Sequence, residues 1–589
     1  MRKILIAGLA ILGVLLVLAA VVATGYGIVS ALLHGRVPEK TVLEADFEQG
    51  LVEDVPEDAI AQVLFTKPST VRDVVEALEK ASDDPRVSGL VARVGVAGLG
   101  LAQVQEIRDA VIAFRAKGKF ARAYGETFGE FGPGNSAYYL ATAFDEIDLQ
   151  PSGDIGFTGL IAESPFIRGT LEKLGVTPRM DHRYEYKNAM NMYTERKYTE
   201  PHREAMKRLM DSWFGQIVRG IAKARKLSEE EVRALADRGP FLGKQALEAK
   251  LVDRMAYRDE VYQSVLSKAG QGAKLLYLSK YLERAGRPNT RGATVALIYG
   301  VGAVKRGESS YDPVFESASM GSDTVAKAFR AAIEDTDVKA ILFRVDSPGG
   351  SYTASDTIWR ETTRAKKAGK PVIVTMGNLA GSGGYFVAMA ADKIVAQPGT
   401  ITASIGVLGG KLWTSGFWDR LGLSWDEVHT SANSTMFTGT HDYTEAEWVK
   451  FQQWLDRVYA DFTAKVAEGR RLPKEKVLQI AKGRIWTGED ALGLGLVDEL
   501  GGFTVALRLA RQSAGLAADA PVNIKVFPKK KSALEALLNR GPDSSDENAA
   551  TATLAHVLQA VRPVLKVARQ MGLASDPGVL AMPDVQEAR

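Results

Sequence analysis

The stretch NLAGSGGYFVAMAADKIVAQPGTITASIGVLGG, from Asn378 to Gly410, carries our prediction of the fold. It follows an apolar run, Pro371 to Met376, that is typical of a buried strand, and its first half predicts a small-residue helix ending near Ala391. Ser382 lies between glycines at this strand-to-helix junction, where unpaired backbone N–H groups favour developing negative charge. The pattern indicates an α/β fold with a candidate nucleophile. The alternative is that Ser382 only caps its helix.

Composition argues against several classes of function. The chain has 589 residues, which is too many for a single hydrophobic core. Its 74 Lys and Arg residues nearly balance its 71 Asp and Glu residues. We therefore expect several domains and no nucleic-acid partner. There is no cysteine, and the six histidines show no metal-binding spacing. We expect no metal site and no cofactor.

The N-terminus predicts a membrane span. Ile4 to Ala23 are 20 residues without a charge, enough for a helix to cross about 30 Å of hydrocarbon. Arg2 and Lys3 precede this run and should stay in the cytoplasm, which puts the rest of the chain on the far side of the membrane. A cleaved signal peptide is the alternative, but the apolar run is longer than such peptides usually have. We assign residues 1–36 to a cytoplasmic start and an uncleaved signal anchor.

Segments of alternating apolar runs and amphipathic stretches follow the anchor. Residues 41–284 and 294–512 each predict an α/β domain. The polar stretch ERAGRPNTRG, at 283–292, is interpreted as the linker between them. Residues 513–589 have a weaker pattern and predict a C-terminal tail with short helices, in which GPDSSDEN, at 541–548, is typical of a flexible linker.

Apolar periodicity also predicts individual elements of both domains. We expect helices at Val71–Lys80, Leu101–Lys117, Asp323–Glu334 and Ala354–Lys367, and strands at Gly89–Val94, Phe120–Tyr124, Thr294–Val304 and Lys339–Val345.

The two predicted domains are related by an internal repeat. Arg93-Val94 corresponds to Arg344-Val345 at an offset of 251 positions. Repeats of this length indicate that a whole domain was duplicated. Further matches share an offset of 245 positions: Tyr198-Thr199-Glu200 with Tyr443-Thr444-Glu445, and Leu251-Val252-Asp253 with Leu496-Val497-Asp498.

The halves differ where the chemistry is expected. The first half has Asn135 where the second has Ser382, and the second has Ala432 where the first has Lys187. Complementary losses suggest one composite site, with Lys187 from one half and Ser382 from the other. Lysine acts as a base only when neutral, and burial among apolar groups favours that form. A lone lysine is otherwise usually a solvated surface group.

Glycine turns supply candidate donors for an oxyanion. Ser347-Pro348-Gly349-Gly350 is a tight turn after a strand, and Gly383 follows Ser382 directly. The backbone N–H groups of Gly383 and of Gly349 or Gly350 are candidates to hold the negative charge that forms in acyl transfer.

These motifs, with Tyr186-Lys187, Thr402-Ala403-Ser404-Ile405-Gly406 and the anchor, resemble the signal peptide peptidase A (protease IV) family in its long, duplicated form. The resemblance covers nearly all of residues 1–512. It implies two tandem ClpP/crotonase-like domains, with Ser382 as the nucleophile and Lys187 as the general base. It also implies that the Ser404 hydroxyl orients the lysine. Ala403 departs from the family pattern, in which glycine is common at this position.

The resemblance further implies a membrane-anchored serine endopeptidase that cleaves hydrophobic peptides such as released signal peptides. It implies a homotetramer in the bacterial inner membrane, with a single span and with the catalytic domains on the periplasmic side. The alternatives are a crotonase-type acyl-CoA enzyme, which shares the glycine-rich turns, and a catalytically silent membrane scaffold, for which Ser382 is dispensable.

Overall fold

The computed structural model describes residues 35–54, 69–95, 98–312, 317–528 and 580–581. Within these residues, strands and helices alternate along the chain, and helices pack against mainly parallel sheets, which confirms the predicted α/β class. The predicted membrane span, Ile4–Ala23, lies outside the described residues. None of the described helices is long and apolar enough to cross a bilayer.

The first half of the chain is built around a parallel sheet, here called the N-terminal sheet. In spatial order its strands are Arg254–Met255, Glu146–Leu149, Phe120–Gly125, Val87–Arg93, Thr41–Asp46 and Lys274–Tyr277. The helices of this half are Val71–Ser82, Leu101–Ala116, Asn135–Ala141, Arg168–Leu174, Asn191–Thr194, Glu200–Arg225, Glu229–Arg238, Gly243–Glu248, Arg258–Ala269 and Leu278–Ala285, with a 3₁₀ turn at Asn188–Met190.

The second half is built around the C-terminal sheet. Its strands, in spatial order, are Ile485–Thr487, Ile401–Ala403, Val372–Gly381, Val338–Ser347, Ala293–Val301 and Val522–Phe527. Lys393–Ala396 also pairs with Val372–Gly381, and Glu499–Leu500 pairs with Lys393–Ala396. The helices of this half are Ser322–Glu334, Tyr352–Lys367, Gly383–Ala388, Ser415–Arg420, Glu445–Arg470, Lys474–Ile480, Gly488–Leu494 and Phe503–Ser513.

Smaller sheets lie beside these. One runs in the order Ser310–Asp312, Ser317–Gly321, Ala303–Lys305, Gly349–Gly350 and Leu580–Ala581, so residues 580–581 of the tail pair with the glycine turn. In another, Asp154–Ile155 pairs with Phe241–Leu242. In a third, Thr177–His182 of the first half pairs antiparallel with Leu408–Trp413 of the second. This last pairing joins the halves through backbone hydrogen bonds.

The helices and strands predicted for the two domains are present, with ends shifted by a few residues, whereas the flexible linker and most of the tail predicted to hold short helices lie outside the described residues. The predicted helix Val71–Lys80 runs to Ser82, and Thr70 caps it by accepting a hydrogen bond from Asp73 N–H. The predicted strand Lys339–Val345 begins at Val338 and continues to Ser347, up to the glycine turn. Because Ile341, Phe343 and Val345 are buried on one face and Leu342 on the other, this strand is covered on both faces, as parallel strands are.

The internal repeat appears as repeated structure. Helices of 26 residues begin after Thr199 and after Thr444, and each threonine caps its own helix. The repeat-related Tyr138 and Tyr385 are both buried and donate to the carbonyls of Leu251 and Leu496, at 2.7 and 2.9 Å. The equivalent contacts agree with duplication of one domain.

Candidate active site

Ser382 occupies a strained turn between the strand Val372–Gly381 and the helix Gly383–Ala388. Its φ of 53° and ψ of −113° lie in a region that non-glycine residues seldom adopt, at a cost of about 1–3 kcal/mol. Its N–H donates to the carbonyl of Ala403 at 2.7 Å, which holds the turn against the neighbouring strand. The side chain makes no capping hydrogen bond to its helix, contrary to the capping alternative. The hydroxyl points instead toward the first half.

Lys187 comes from the first half, in the loop after the strand Thr177–His182. Backbone hydrogen bonds hold this loop against the second half: Arg183 N–H donates to Val407 O at 2.9 Å, and Tyr186 N–H to Lys482 O at 3.1 Å. The loop is therefore positioned by the antiparallel pairing between the halves and not by its own domain alone.

The lysine and the serine meet although 195 positions separate them. Lys187 Nζ lies 2.7 Å from Ser382 Oγ, 3.0 Å from Ser404 Oγ and 3.1 Å from Ser404 O. All three residues are completely buried. Burial lowers the pKa of Lys187 to about 7, because the ammonium form loses its hydration. At neutral pH a large fraction of this amine is neutral and can accept a proton from the serine.

Glycines of the second half leave room for the lysine. A Cβ on Gly483 would lie 2.5 Å from Lys187 Cβ, and one on Gly406 would lie 3.2 Å from Lys187 Cδ. Gly483 also has a φ of 80°, which favours glycine. Gly406 belongs to the motif that contains Ser404, but sequence reasoning missed Gly483. The contact between Gly483 and Lys187 forms only when the two halves dock, so no local pattern indicates it.

Ser404 follows a second strained segment. Ala403 and Ser404 have φ values of 66° and 49°, and Ser404 N–H donates to Arg484 O at 2.9 Å. Positive φ values favour glycine, so this conformation gives a physical reason for the glycine that the family resemblance implies at position 403. It turns both the hydroxyl and the carbonyl of Ser404 toward Lys187.

The predicted oxyanion glycines lie against one another. A Cβ on Gly383 would lie 3.0 Å from Gly350 N and 3.1 Å from Gly349 Cα. Gly349 N–H donates to Ser347 Oγ at 3.2 Å. That donor is already engaged, so Gly383 and Gly350 are the better candidates for holding an oxyanion.

A buried ion cluster, which sequence reasoning missed, links the halves behind the site. Arg344 Nε donates to Glu53 Oε2 and its Nη2 to Glu106 Oε2, both at 2.8 Å. Glu53 also accepts from Gln103 at 2.9 Å. Burial opposes protonation of Arg344, but the charges of Glu106 and Glu53 outweigh it and raise the pKa of the guanidinium. The internal repeat relates Arg344 to Arg93, but it does not predict which residues pair with Arg344.

The same cluster reaches the strand that leads to Ser382. Asp346 accepts from Leu379 N–H at 2.8 Å, and Asn378 Oδ1 accepts from Gln103 N–H of the first half at 3.1 Å. Burial, together with the charge of Glu53, raises the pKa of Asp346 well above its usual range. Both strands that end at the candidate site are thus fixed to the first half by polar contacts, buried at Arg344 and partly buried at Asn378.

Within the described residues, no group of His, Asp and Glu side chains is arranged to hold a metal ion. The chemistry that this arrangement supports is transfer of a proton from a serine hydroxyl to a neutral amine, followed by nucleophilic attack.

Comparison with known proteins gives consistent matches. The sequence profile of Peptidase family S49 matches residues 127–272 and 364–517. Protease 4 of Salmonella typhi is 32% identical over 460 residues, covering 75% of this chain and 72% of that protein. Serine protease SPPA, chloroplastic, of Arabidopsis thaliana is 29% identical over 470 residues, or 78% of this chain and 68% of that one. The putative signal peptide peptidase SppA of Enterococcus faecium is 36% identical over 168 residues, or 28% and 49%.

Among solved structures, a ClpP1 mutant from Listeria monocytogenes covers 37% of this chain and 94% of its own, with 14% identity and a TM-score of 0.23. A likeness at that score supports no statement about the fold.

Proposed function

The chain belongs to peptidase family S49 and is a serine peptidase, and we propose that it is an endopeptidase that hydrolyses hydrophobic peptides through Ser382 and Lys187. The observation that carries the proposal is the 2.7 Å contact between Lys187 Nζ and Ser382 Oγ. A serine hydroxyl is a weak nucleophile until a base takes its proton, and a buried neutral lysine is such a base.

The reaction follows from this contact. Neutral Lys187 accepts the Ser382 proton as Oγ attacks the peptide carbonyl, and the lysine then protonates the leaving amine as the peptide C–N bond breaks. Lys187 next takes a proton from a water molecule as its oxygen attacks the acyl-enzyme carbonyl. The bond between Ser382 Oγ and the acyl group then breaks, Oγ takes this proton back from Lys187, and the second peptide leaves with its new carboxyl group. Ser404 holds Nζ toward the serine through the contacts at 3.0 and 3.1 Å.

The oxyanion would be held by backbone N–H groups of Gly383 and Gly350. Supporting this role is the close approach of the two glycine backbones beside Ser382. A single well-oriented donor of this kind contributes about 2.7–4 kcal/mol to the transition state.

The substrate class we propose is released signal peptides. The support is the name of the Enterococcus faecium relative and the resemblance of the motifs. The peptidase family match favours this over acyl-CoA chemistry. We also propose that each half has the ClpP/crotonase-like fold.

We further propose that Ile4–Ala23 anchors the chain in a bacterial inner membrane, with the catalytic halves in the periplasm and with four chains assembled. The support is the uncharged length of that segment and the bacterial Protease 4 relatives. Carbonate extraction of membranes tests the anchor, since an anchored chain stays in the membrane pellet. Cross-linking in detergent tests the assembly.

The dyad is tested by hydrolysis of a quenched, leucine-rich peptide in detergent. We expect Ser382→Ala and Lys187→Met to lose about 10³-fold or more in kcat/KM, because each removes a member of the reacting pair. The matched control is Lys482→Met: this lysine lies in the same contact between halves but pairs with Glu185 at 3.0 Å. It should keep most of the activity. A Lys187→Met variant that keeps its rate would overturn the assignment of the base.

A further inference from the structure

Residues 580–581 of the C-terminal tail pair with the glycine turn beside the candidate nucleophile. Leu580 pairs antiparallel with Gly350, and Ala581 with Gly349. On its other side the glycine pair meets Val304, through a parallel bridge to Gly350. The described part of the C-terminal tail therefore adds a strand to the free edge of this turn.

This edge is next to the reacting groups. Adjacent strands are about 4.8 Å apart, so the backbone of Leu580 and Ala581 runs one strand spacing from the proposed oxyanion donor Gly350. Gly350 in turn lies against Gly383 and the Ser382 turn. A peptide whose carbonyl is to reach Ser382 must pass through the same space.

The turn is suited to an extended peptide chain. Gly349 and Gly350 have no side chains and have φ values of 96° and 152°, so their backbone is open to a partner strand. Peptides bind such edges by strand addition, in which main-chain hydrogen bonds supply the affinity. The binding does not depend on one particular sequence.

The tail also has the composition of the proposed substrates. Val579-Leu580-Ala581-Met582 is an uninterrupted apolar run that ends at Pro583. The 51 residues 528–578 join it to the strand Val522–Phe527 and include the stretch predicted to be a flexible linker. A tethered segment of this kind reaches an effective concentration in the millimolar range at its site.

We propose that the C-terminal segment around Leu580–Ala581 occupies the peptide-binding edge at Gly349–Gly350 and competes there with incoming peptides. The proposal that the tail regulates activity rests on the proposed peptidase function. In this arrangement the tail strand is paired with the glycine turn, so a peptide that pairs with the same edge must displace it. The tail sets the concentration of peptide at which the enzyme becomes active.

The test uses full-length protein with the Ser382→Ala substitution, so that binding is measured without cleavage. Leu580→Pro with Ala581→Pro removes the backbone N–H groups that a strand pairing needs. The matched control is Ser545→Pro, in the predicted linker. The probe is a fluorescein-labelled peptide of residues 577–585, PGVLAMPDV, followed by fluorescence anisotropy.

We expect the double-proline protein to bind the labelled peptide at least about tenfold more tightly than the Ser382→Ala protein or the linker control. Equal affinity in all three proteins, or no binding to the double-proline protein, would overturn the proposal. Thermal unfolding confirms that the three proteins are equally folded.

A second arm separates this inference from the proposed function. With Ser382 intact, the double-proline protein should hydrolyse the quenched peptide with a KM at least about threefold lower and with an unchanged kcat. An unchanged KM contradicts the proposal. If no protein hydrolyses the peptide but the affinities differ as expected, the peptidase proposal fails and the tail site stands.

Discussion

Lys187 shows how one residue is adapted to its role by its surroundings. Its ammonium form has no carboxylate partner in the described site, and burial alone lowers its pKa to about 7. Its contacts are the oxygens of Ser382 and Ser404. An exposed lysine, with a pKa near 10.4, would carry its proton through the whole physiological range.

The titration of Lys187 predicts the pH dependence of activity. Because the base must be neutral, kcat/KM should rise about tenfold per pH unit below pH 7 and level off above it. The measurement is the rate of peptide hydrolysis at low substrate concentration between pH 5 and 9.

The pH profile needs a control for folding and has one outcome that contradicts the prediction. Circular dichroism at each pH must show the protein folded, so that the change reports the base. An activity that is still rising tenfold per pH unit at pH 9 would mean that Lys187 stays protonated in the free enzyme at neutral pH.

At the scale of elements, the candidate site depends on a close approach between a turn and a helix. The turn Gly349–Gly350 and the first residue of the helix Gly383–Ala388 touch through backbone atoms. Glycine at 383 is required by this contact, since any Cβ would meet Gly350 N at 3.0 Å and Ser355 Oγ at 2.8 Å.

Gly383→Ala should therefore separate the two proposed oxyanion donors. We expect kcat to fall about 100-fold, within the range for loss of an oxyanion contact, while the protein remains folded. Steady-state kinetics on the quenched peptide measures this.

The control for this substitution is Gly493→Ala, in the helix Gly488–Leu494. A Cβ there meets nothing within 4 Å, and alanine favours the helix over glycine by about 1 kcal/mol. Normal kinetics and slightly higher stability are expected. A fall in kcat equal to that of Gly383→Ala would show that the effect is not specific to the site.

At the scale of the whole molecule, the candidate site exists only when the halves are docked. The lysine belongs to one half and the serine to the other, and Ile401 and Ile485 of the second half lie in the apolar core of the first. The cluster of Arg344, Glu53 and Glu106 is the buried charged part of this interface.

Arg344→Met should weaken this docking strongly. It leaves two buried carboxylates without their cation, which typically costs about 3–5 kcal/mol. We expect a lower unfolding temperature and a loss of peptidase activity, measured by thermal unfolding and peptide hydrolysis.

The repeat supplies the control, Arg93→Met. The Arg93 side chain is 20% exposed, against 4% for Arg344, and its partners Asp46, Glu48 and Glu126 all belong to the first half. Because these pairs are partly exposed to solvent, each should contribute less than the buried pairs of Arg344, about 1 kcal/mol or less for pairs at the surface. Equal losses in both variants would contradict a special role for Arg344.

Much of the fold followed from local pattern. The helix at Val71 and the strand at Val338 were predictable because a cap and an apolar period act within a few residues. The internal repeat was also predictable, because the tripeptide Tyr198-Thr199-Glu200 recurs as Tyr443-Thr444-Glu445 and each copy lies at the start of a helix. The predicted domain boundaries, 41–284 and 294–512, stay predictions.

The alternation of strands and helices, the duplication and the candidate groups Ser382 and Lys187 were predictable from the amino acids, because they depend on local periodicity and on comparison of the halves. Three contacts were not: the approach of the two groups to 2.7 Å, the room that Gly483 makes for the lysine, and the ion pair of Arg344 with Glu53. These contacts join positions far apart in the chain, so no local pattern encodes them. The strand pairing of the tail with Gly349–Gly350 has the same origin.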